Sequence, residues 1–556
     1  MKDSYARDTS LPSEALIDPD DQPDYIDLSD IVLERANVGE HLADRNVALG
    51  RGDLVAAIDS HSGKSLTFAD LARESSRLAA GLRKYGIRAG DRIAYRSPNV
   101  ADVLIVMTGI WKAGAVLVPT PAQARREELR FFLEDATPRL LFVHANSLGD
   151  AVHEVLPGSS VETVFTFGSD GAKTSYRSWT ELMSLSDVPD GVDTSGNQIA
   201  IIWHTGGTTG RPKGCYHTHK RFLSGGYSYG AATGAAPGQR WAATAPVGHA
   251  LGLIYYTIFT LLHGATVVFI EDFSRPQTVL GAVKQWNIST LTGLMATWAR
   301  MLDVIEQDAS FSTASLKRCY AMWQSASSAE IFDKWKSRGV ELLNNFGSTS
   351  FATWVLIPRA GEPIPRAALG KPAPGYRVEA VEVRDGKVTP VPRHQVGQMA
   401  VKGPTGLTYW NRPDMQRRDV VEGWTLSDDL IQFDAAGNAM YMGRTDYMIS
   451  TAGHKVAPVE VEEVLSRHPS VREVAVVPAP CPVRQEVVAA FVALNSGVEP
   501  SDALKVELRD FAKRQLSSYK APRRIEFIDA LPRDAVGKVQ TRLVKEKAAL
   551  LLGPDV

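Results

Sequence analysis

From Leu66 onward the chain alternates apolar strand-like runs with amphipathic helical ones, and this alternation constrains the fold more than any single motif does. In "LTFADLARESSRLAAGLRKYG" the residues Phe68, Leu71, Leu78 and Leu82 share one helical face, Thr67 stands at the N-cap and Gly86 at the stop. Strand "RIAYRS", helix "ADVLIVMTGIWKAG" and strand "AVLVPT" follow, and "RLLFVHA", "ETVFTF" and "QIAIIW" supply further strands. Strands separated by helices, rather than by tight turns, predict α/β structure with doubly wound, mostly parallel sheets. Past residue 370 short strands and turns predict a small β subdomain. After "GRTD" a compact α+β unit begins, with a helix opening at Pro458. The expected division is therefore 1–444 and 445–556, a large N-terminal domain and a smaller mobile C-terminal one.

A chain of 556 residues has enough material for more than one core and a buried cleft. Its 61 basic and 63 acidic residues leave a net charge of −2 without single-sign blocks, which argues against a nucleic-acid or anionic-membrane partner. Three widely spaced cysteines, Cys215, Cys319 and Cys481, suit a reducing cytoplasm better than a disulfide framework. The run 251–270 has membrane-spanning length and no charge, but His263 and Gly264 divide it into a buried helix and a β-branched strand. The sequence leaves a homodimer open.

The chemistry concentrates in "HTGGTTGRPKGC" (204–215), directly behind an apolar strand. Amides of Gly206, Gly207 and Gly210, hydroxyls of Thr205, Thr208 and Thr209, and the cation of Lys213 form the complement of a polyphosphate. A Walker loop would end in Gly-Lys-Ser/Thr, whereas Lys213 follows Pro212 and precedes Gly214. The "GKS" at 63–65 lacks the first glycine of that motif and reads as a surface turn. "CYHTHK" (215–220) spaces Cys215, His217 and His219 alternately, but no fourth ligand is evident, so these side chains are expected to line or support the site entrance rather than bind metal.

The segment "TGGTTGRPKG" resembles the phosphate loop of the adenylate-forming superfamily, which contains acyl-CoA ligases, non-ribosomal adenylation domains and luciferases. Four more segments resemble that family in its own order. "NNFGSTS" (344–350) is similar to an adenine- and phosphate-binding motif, implying roles for Asn345, Phe346, Gly347 and Thr349. "GWTLSDDL" (423–430) implies that Asp429 holds the ribose, and "YMGRTDYMISTAGHKVAPVEVEE" (441–463) implies Arg444 on the ribose, Asp446 as hinge, and Gly453 and Lys455 in the loop of the thiol site. "LPRDAVGKVQTR" (531–542) makes Lys538 the lysine of adenylation. Segments such as "ARDTSLP", "GKPAPGY" and "YKAPRRIEFIDALPR" are closest to aminobenzoate-CoA ligases and related aryl-acid ligases.

The resemblance implies that ATP and an aromatic, aminobenzoate-like acid form an acyl-adenylate, and that the acyl group then passes to coenzyme A. Lys538, Thr349 and His249 would carry the chemistry, with His249, Tyr227, Trp298 and Trp323 around the acid. Relatives that load carrier proteins, form amides or activate nitrite keep another acceptor open. The sequence departs from the family at Ser350, where a glutamate that helps hold Mg2+ is usual, and at Trp323, Asp428, Tyr447 and Val536. No protein-only metal site is expected, so Mg2+ would lean on ATP phosphates, Thr208 and water.

Overall fold

The computed structural model describes residues 11, 15–28, 36–168, 175–185, 194–205, 212–322, 329–359, 362, 364–365, 368–451, 454–481, 485–533 and 539–551. Two seven-stranded sheets dominate it, and they share one plan. In the first, Arg177–Ser178, Thr163–Phe167, Leu140–His144, Arg92–Ser97, Val116–Pro121 and Ile199–Thr205 run parallel, and Lys213–Thr218 closes the edge antiparallel. In the second, Glu341–Leu343, Arg318–Met322, Thr290–Leu294, Arg240–Ala243, Thr266–Phe269 and Val55–Asp59 are parallel, and Ser65–Thr67 turns back along the edge. Helices between parallel strands cover both faces, which is why strands such as Leu140–His144 are buried along their whole length.

Local signals account for the elements. Thr67 caps helix Phe68–Lys84 with a reciprocal pair: its Oγ1 accepts from the Asp70 amide at 3.0 Å, and Asp70 accepts from the Thr67 amide at 3.1 Å. Leu71, Leu78 and Leu82 lie buried on that helix, and Gly86 after it takes φ +102°. The uncharged run divides as its sequence indicates. Leu251–Leu262 is helical, Gly264 turns at φ +78°, and Thr266–Phe269 is a buried central strand. Among the described residues no helix is long and apolar enough to cross a membrane.

The β region begins earlier than expected. Phe346–Ser348 and Thr353–Ile357 already belong to a nine-stranded antiparallel sheet that continues through Ala368–Pro372, Arg377–Arg384, Lys387–Pro390, Gly397–Lys402, Val420–Val421, Trp424–Phe433 and Ala439–Arg444. A five-stranded sheet follows, with Ile449–Thr451, His454–Val456, Val471–Cys481, Gln485–Leu494 and Arg524–Phe527, flanked by helices Pro458–Ser466, Asp502–Gln515 and Thr541–Leu551. Its core is its own, built on Val461, Leu465, Val476, Val492, Leu508 and Ile525.

Candidate active site

The glycine–threonine loop joins two strands of the first sheet, and their register fixes its mouth. Thr205 is paired with Lys213, His204 with Gly214 and Trp203 with Cys215. Gly206, Gly207, Thr208, Thr209 and Gly210 lie outside the described residues. Lys213 holds its ammonium 5.9 Å above the Tyr409 ring. Gly214 has no room for a side chain, since a Cβ there would meet Asp135 Oδ2 at 2.8 Å and Trp410 Cβ at 3.1 Å.

The next motif is anchored to this hairpin through its main chain. The Thr349 carbonyl accepts from Trp203 Nε1 at 3.1 Å and pairs with His217 Nε2 at 3.3 Å. Burial lowers the His217 pKa to about 4, so its imidazole is neutral at neutral pH and donates through Nε2. His219 opens the following helix, where burial likewise depresses it, to about 3, and its Nδ1 accepts from the Val38 amide. His217 and His219 thus hold the backbone of Thr349 and Val38. Gly347 sits where a Cβ would lie 2.5 Å from the Tyr255 hydroxyl, so only glycine lets this strand pass over that ring. Asn345 is buried beside it, and Phe346 and Ser350 are half-buried.

Asp429 and Arg444, 15 residues apart in sequence, are opposed across two antiparallel strands. Arg444 Nη1 lies 3.8 Å from Asp429 Oδ1 and its Nη2 lies 3.0 Å from Asp428 Oδ2. The Tyr441 hydroxyl donates to Asp429 at 3.2 Å. Asp428, one of the departures from the family pattern, therefore shares the guanidinium of Arg444.

At the carboxyl ends of strands Val116–Pro121 and Ile199–Thr205 lies a small cleft lined by Pro119, Pro121, Phe132, Trp203, His204, Gly248, His249, Ala250 and Leu253. Parallel strands place ligands at this end because helix N-termini and connecting loops converge there. His249 belongs to this cleft, and its Nδ1 accepts from the Leu251 amide at 3.3 Å. Tyr227 and Trp298 are elsewhere. Tyr227 bonds His41 Nδ1 at 2.8 Å and lies under Arg45, while Trp298 is fully buried against Trp335 in the core of the second sheet. Trp323, Gly453 and Lys538 fall outside the described residues, as does the side chain of Asp446 in the turn Thr445–Tyr447. Lys455 is on strand His454–Val456, opposite Ser450. Among the described residues, no three His, Cys, Asp or Glu gather as a metal site.

Sequence reasoning overlooked one group. His204 Nε2 lies 3.0 Å from Asp135 Oδ2, and Asp135 Oδ1 accepts from Arg412 at 2.8 Å. These residues come from three distant segments, so no spacing announces them; only a histidine directly before the glycine loop was visible.

A family model described as AMP-binding enzyme matches residues 44–410, and one described as AMP-binding enzyme C-terminal domain matches 460–538. The chain is 30% identical over 499 residues to the fatty acid–[acyl-carrier-protein] ligase ScoC of Streptomyces coeruleorubidus, covering 87% of this chain and 92% of that one. It is 28% identical over 516 residues to the benzoate–CoA ligase of Thauera aromatica, covering 92% and 95%. The crystal structure of the anthranilate CoA ligase AuaEII in complex with anthranoyl-AMP superposes with a TM-score of 0.84 at 25% identity, covering 94% of this chain and 99% of that one.

Proposed function

The chain belongs to the AMP-binding enzyme family and is an AMP-forming acid–thiol ligase, and from that premise we propose that it activates an aminobenzoate-like aromatic acid and transfers the acyl group to coenzyme A. The observation that carries the adenylation site is the joining of two motifs far apart in sequence: the hairpin of the glycine–threonine loop holds the Thr349 carbonyl through Trp203 and His217. The likeness to a ligase crystallised with anthranoyl-AMP supports the acid.

In the first step a carboxylate oxygen attacks the α-phosphorus of ATP and pyrophosphate leaves. The chain contributes position and charge, not a covalent intermediate. Lys213 and the hydroxyls of Thr205, Thr208 and Thr209 would hold the polyphosphate, Thr349 the α-phosphate, and Asp429 with Arg444 the ribose. Phe346, between Asn345 and Gly347, would face the adenine, and His249 would border the acid. Mg2+ would come with ATP, and the hydroxyls of Thr208 and Ser350 are hard oxygen donors suited to it.

In the second step a thiol sulfur attacks the acyl carbon and AMP leaves with the electron pair of the broken C–O bond. We take residues 1–444 and 445–556 as the two domains, with a rotation about Asp446 that withdraws Lys538 after adenylation and brings the loop of Gly453 and Lys455 to the thiol. The three cysteines, all buried and none in a disulfide, suit a cytoplasmic setting.

The test is mass analysis of products after incubation with ATP, Mg2+ and a panel of aromatic acids, with and without coenzyme A. An aryl-CoA thioester and AMP are expected. If AMP forms but no thioester appears, coenzyme A is the wrong acceptor, and the likeness to a carrier-protein ligase makes a carrier thiol the next to try. If no aromatic acid yields AMP, the choice of acid is wrong.

A further inference from the structure

One strand pair brings three charged side chains to a single point. Asp429 and Arg444 are opposed across Trp424–Phe433 and Ala439–Arg444, and the register slips by one residue between Leu430 and Ile431. The extra residue falls at Met442–Gly443, where Gly443 takes φ +108° with nothing within 4 Å of a Cβ placed there. Residues three apart on a regular strand face opposite sides, and a bulge reverses that alternation. Tyr441 and Arg444 therefore both turn toward Asp429. Burial holds the Tyr441 pKa well above its usual value, so the hydroxyl keeps its proton and donates to Asp429 Oδ1 at 3.2 Å. Ser427 Oγ donates to Oδ2. The carboxylate is thus oriented from two sides, with 11% of its side chain exposed.

Arg444 departs from the usual geometry. A guanidinium beside a carboxylate ordinarily closes on it with short N–H···O bonds of about 2.7–2.9 Å. Here Nη1 stands 3.8 Å from Asp429 Oδ1, beyond hydrogen-bond reach, while Nη2 lies 3.0 Å from Asp428 Oδ2. Asp428 has half of its side chain in solvent, so packing does not require an acid there. Resting on the reading of Asp429 and Arg444 as the ribose contacts, we propose that Asp428 is a positioning residue for the nucleotide: it draws Arg444 off Asp429, so that the Asp429 carboxylate accepts from the ribose hydroxyls instead of from the guanidinium. A carboxylate has a limited set of acceptor positions. Without Asp428 the opposite charges of Arg444 and Asp429 close on each other, and the ribose must break their pair to bind.

The test is calorimetric titration of the full-length protein with ATP, 2′-deoxy-ATP and 3′-deoxy-ATP in the presence of Mg2+. The unaltered protein is expected to bind ATP about ten- to hundredfold more tightly than at least one of the deoxy nucleotides, the range of one hydrogen bond to a charged group. In Asp428→Ala the affinity for ATP should fall about tenfold and the preference over the deoxy nucleotides should shrink to within about threefold, because Arg444 then occupies Asp429. Asp428→Glu keeps the charge within reach of Arg444 and should retain most of the preference. A merely structural role would weaken all three nucleotides alike and leave their ratio intact. A ratio unchanged in Asp428→Ala therefore overturns the proposal, as does a loss that Asp428→Glu does not restore. If the unaltered protein binds ATP and both deoxy nucleotides equally, the ribose reading of Asp429 and Arg444 itself falls, an outcome distinct from discrimination that survives the loss of Asp428.

Discussion

Each of the two large sheets ends in an antiparallel edge hairpin, and both hairpins carry a glycine–lysine turn, yet the two turns have opposite character. In the second sheet, Val55–Asp59 and Ser65–Thr67 enclose residues 60–64, where Asp59 Oδ1 accepts from the amides of His61 and Ser62 at 3.1 and 3.2 Å. Lys64 is engaged by Asp102 at 2.6 Å. The amides that could face an anion are spent on an internal carboxylate, and the cation is neutralised. In the first sheet, Ile199–Thr205 and Lys213–Thr218 enclose a longer loop. Lys213 leans on the Tyr409 ring rather than on an acid, and the hairpin reaches Thr349 through Trp203 and His217. A shared topology places both turns at the carboxyl ends of parallel strands. What sits beside them, an internal carboxylate and an acid in one and an aromatic ring in the other, makes the difference.

The largest expected effect separates the two lysines. Lys213→Ala should lower the rate of AMP formation by about a hundredfold or more, as loss of one preorganised charge contact does, whereas Lys64→Ala should leave it within about twofold. Equal losses would break the comparison. The buried support of the first hairpin should also show in acid. His217 has a folded pKa of about 4 against 6.5 when exposed, so between those values the unfolded chain binds a proton that the folded one refuses. Stability present above pH 6.5 is therefore lost as pH falls toward 4, by on the order of 3 kcal/mol from this residue. Denaturant titrations at pH 7 and pH 4.5 would measure it, and His217→Gln should flatten the acid limb.

Smaller effects come from the glycines. Gly214→Ala forces a methyl against Asp135 and Trp410 and should cost about 1–3 kcal/mol. In Gly63→Ala the nearest atom to the new methyl is Trp286 Cη2 at 3.9 Å, so only the φ of +75° opposes it, at about 1 kcal/mol. Thermal melts of the two variants would rank them. The smallest effect is on the ion pair of Lys64, whose side chain is 53% exposed: Lys64→Ala should change stability by less than about 1 kcal/mol. A larger change would mean that the turn carries more of the second sheet than its exposure implies.

Much of the architecture was legible because it is written in local periodicity. The capped helix Phe68–Lys84, the division of the uncharged run at His263–Gly264 and the helix opening at Pro458 all follow from residues within a turn or two of one another. The helix Thr541–Leu551 and the short strands Ile449–Thr451 and His454–Val456 escaped notice, since so few residues carry little periodic signal. Motif order brought Asp429 and Arg444 to attention as separate residues. That they oppose each other across a strand pair, with Asp428 competing for the guanidinium, required the register.

Aromatic residues were the least legible. Tyr227 and Trp298 are read in the sequence as companions of His249 around a flat acid, yet of these three only His249 borders the cleft, because burial beside Trp335 and bonding to His41 are relations between elements far apart in the chain. The sequence by itself determined the layered α/β plan and the family, since each depends on spacing along the backbone. Tertiary structure alone decided the surroundings of the loop. The grip of Trp203 and His217 on Thr349, and the chain from Arg412 through Asp135 to His204, join residues up to 277 positions apart, and hydrogen-bond geometry at that separation is fixed only when the sheets have packed.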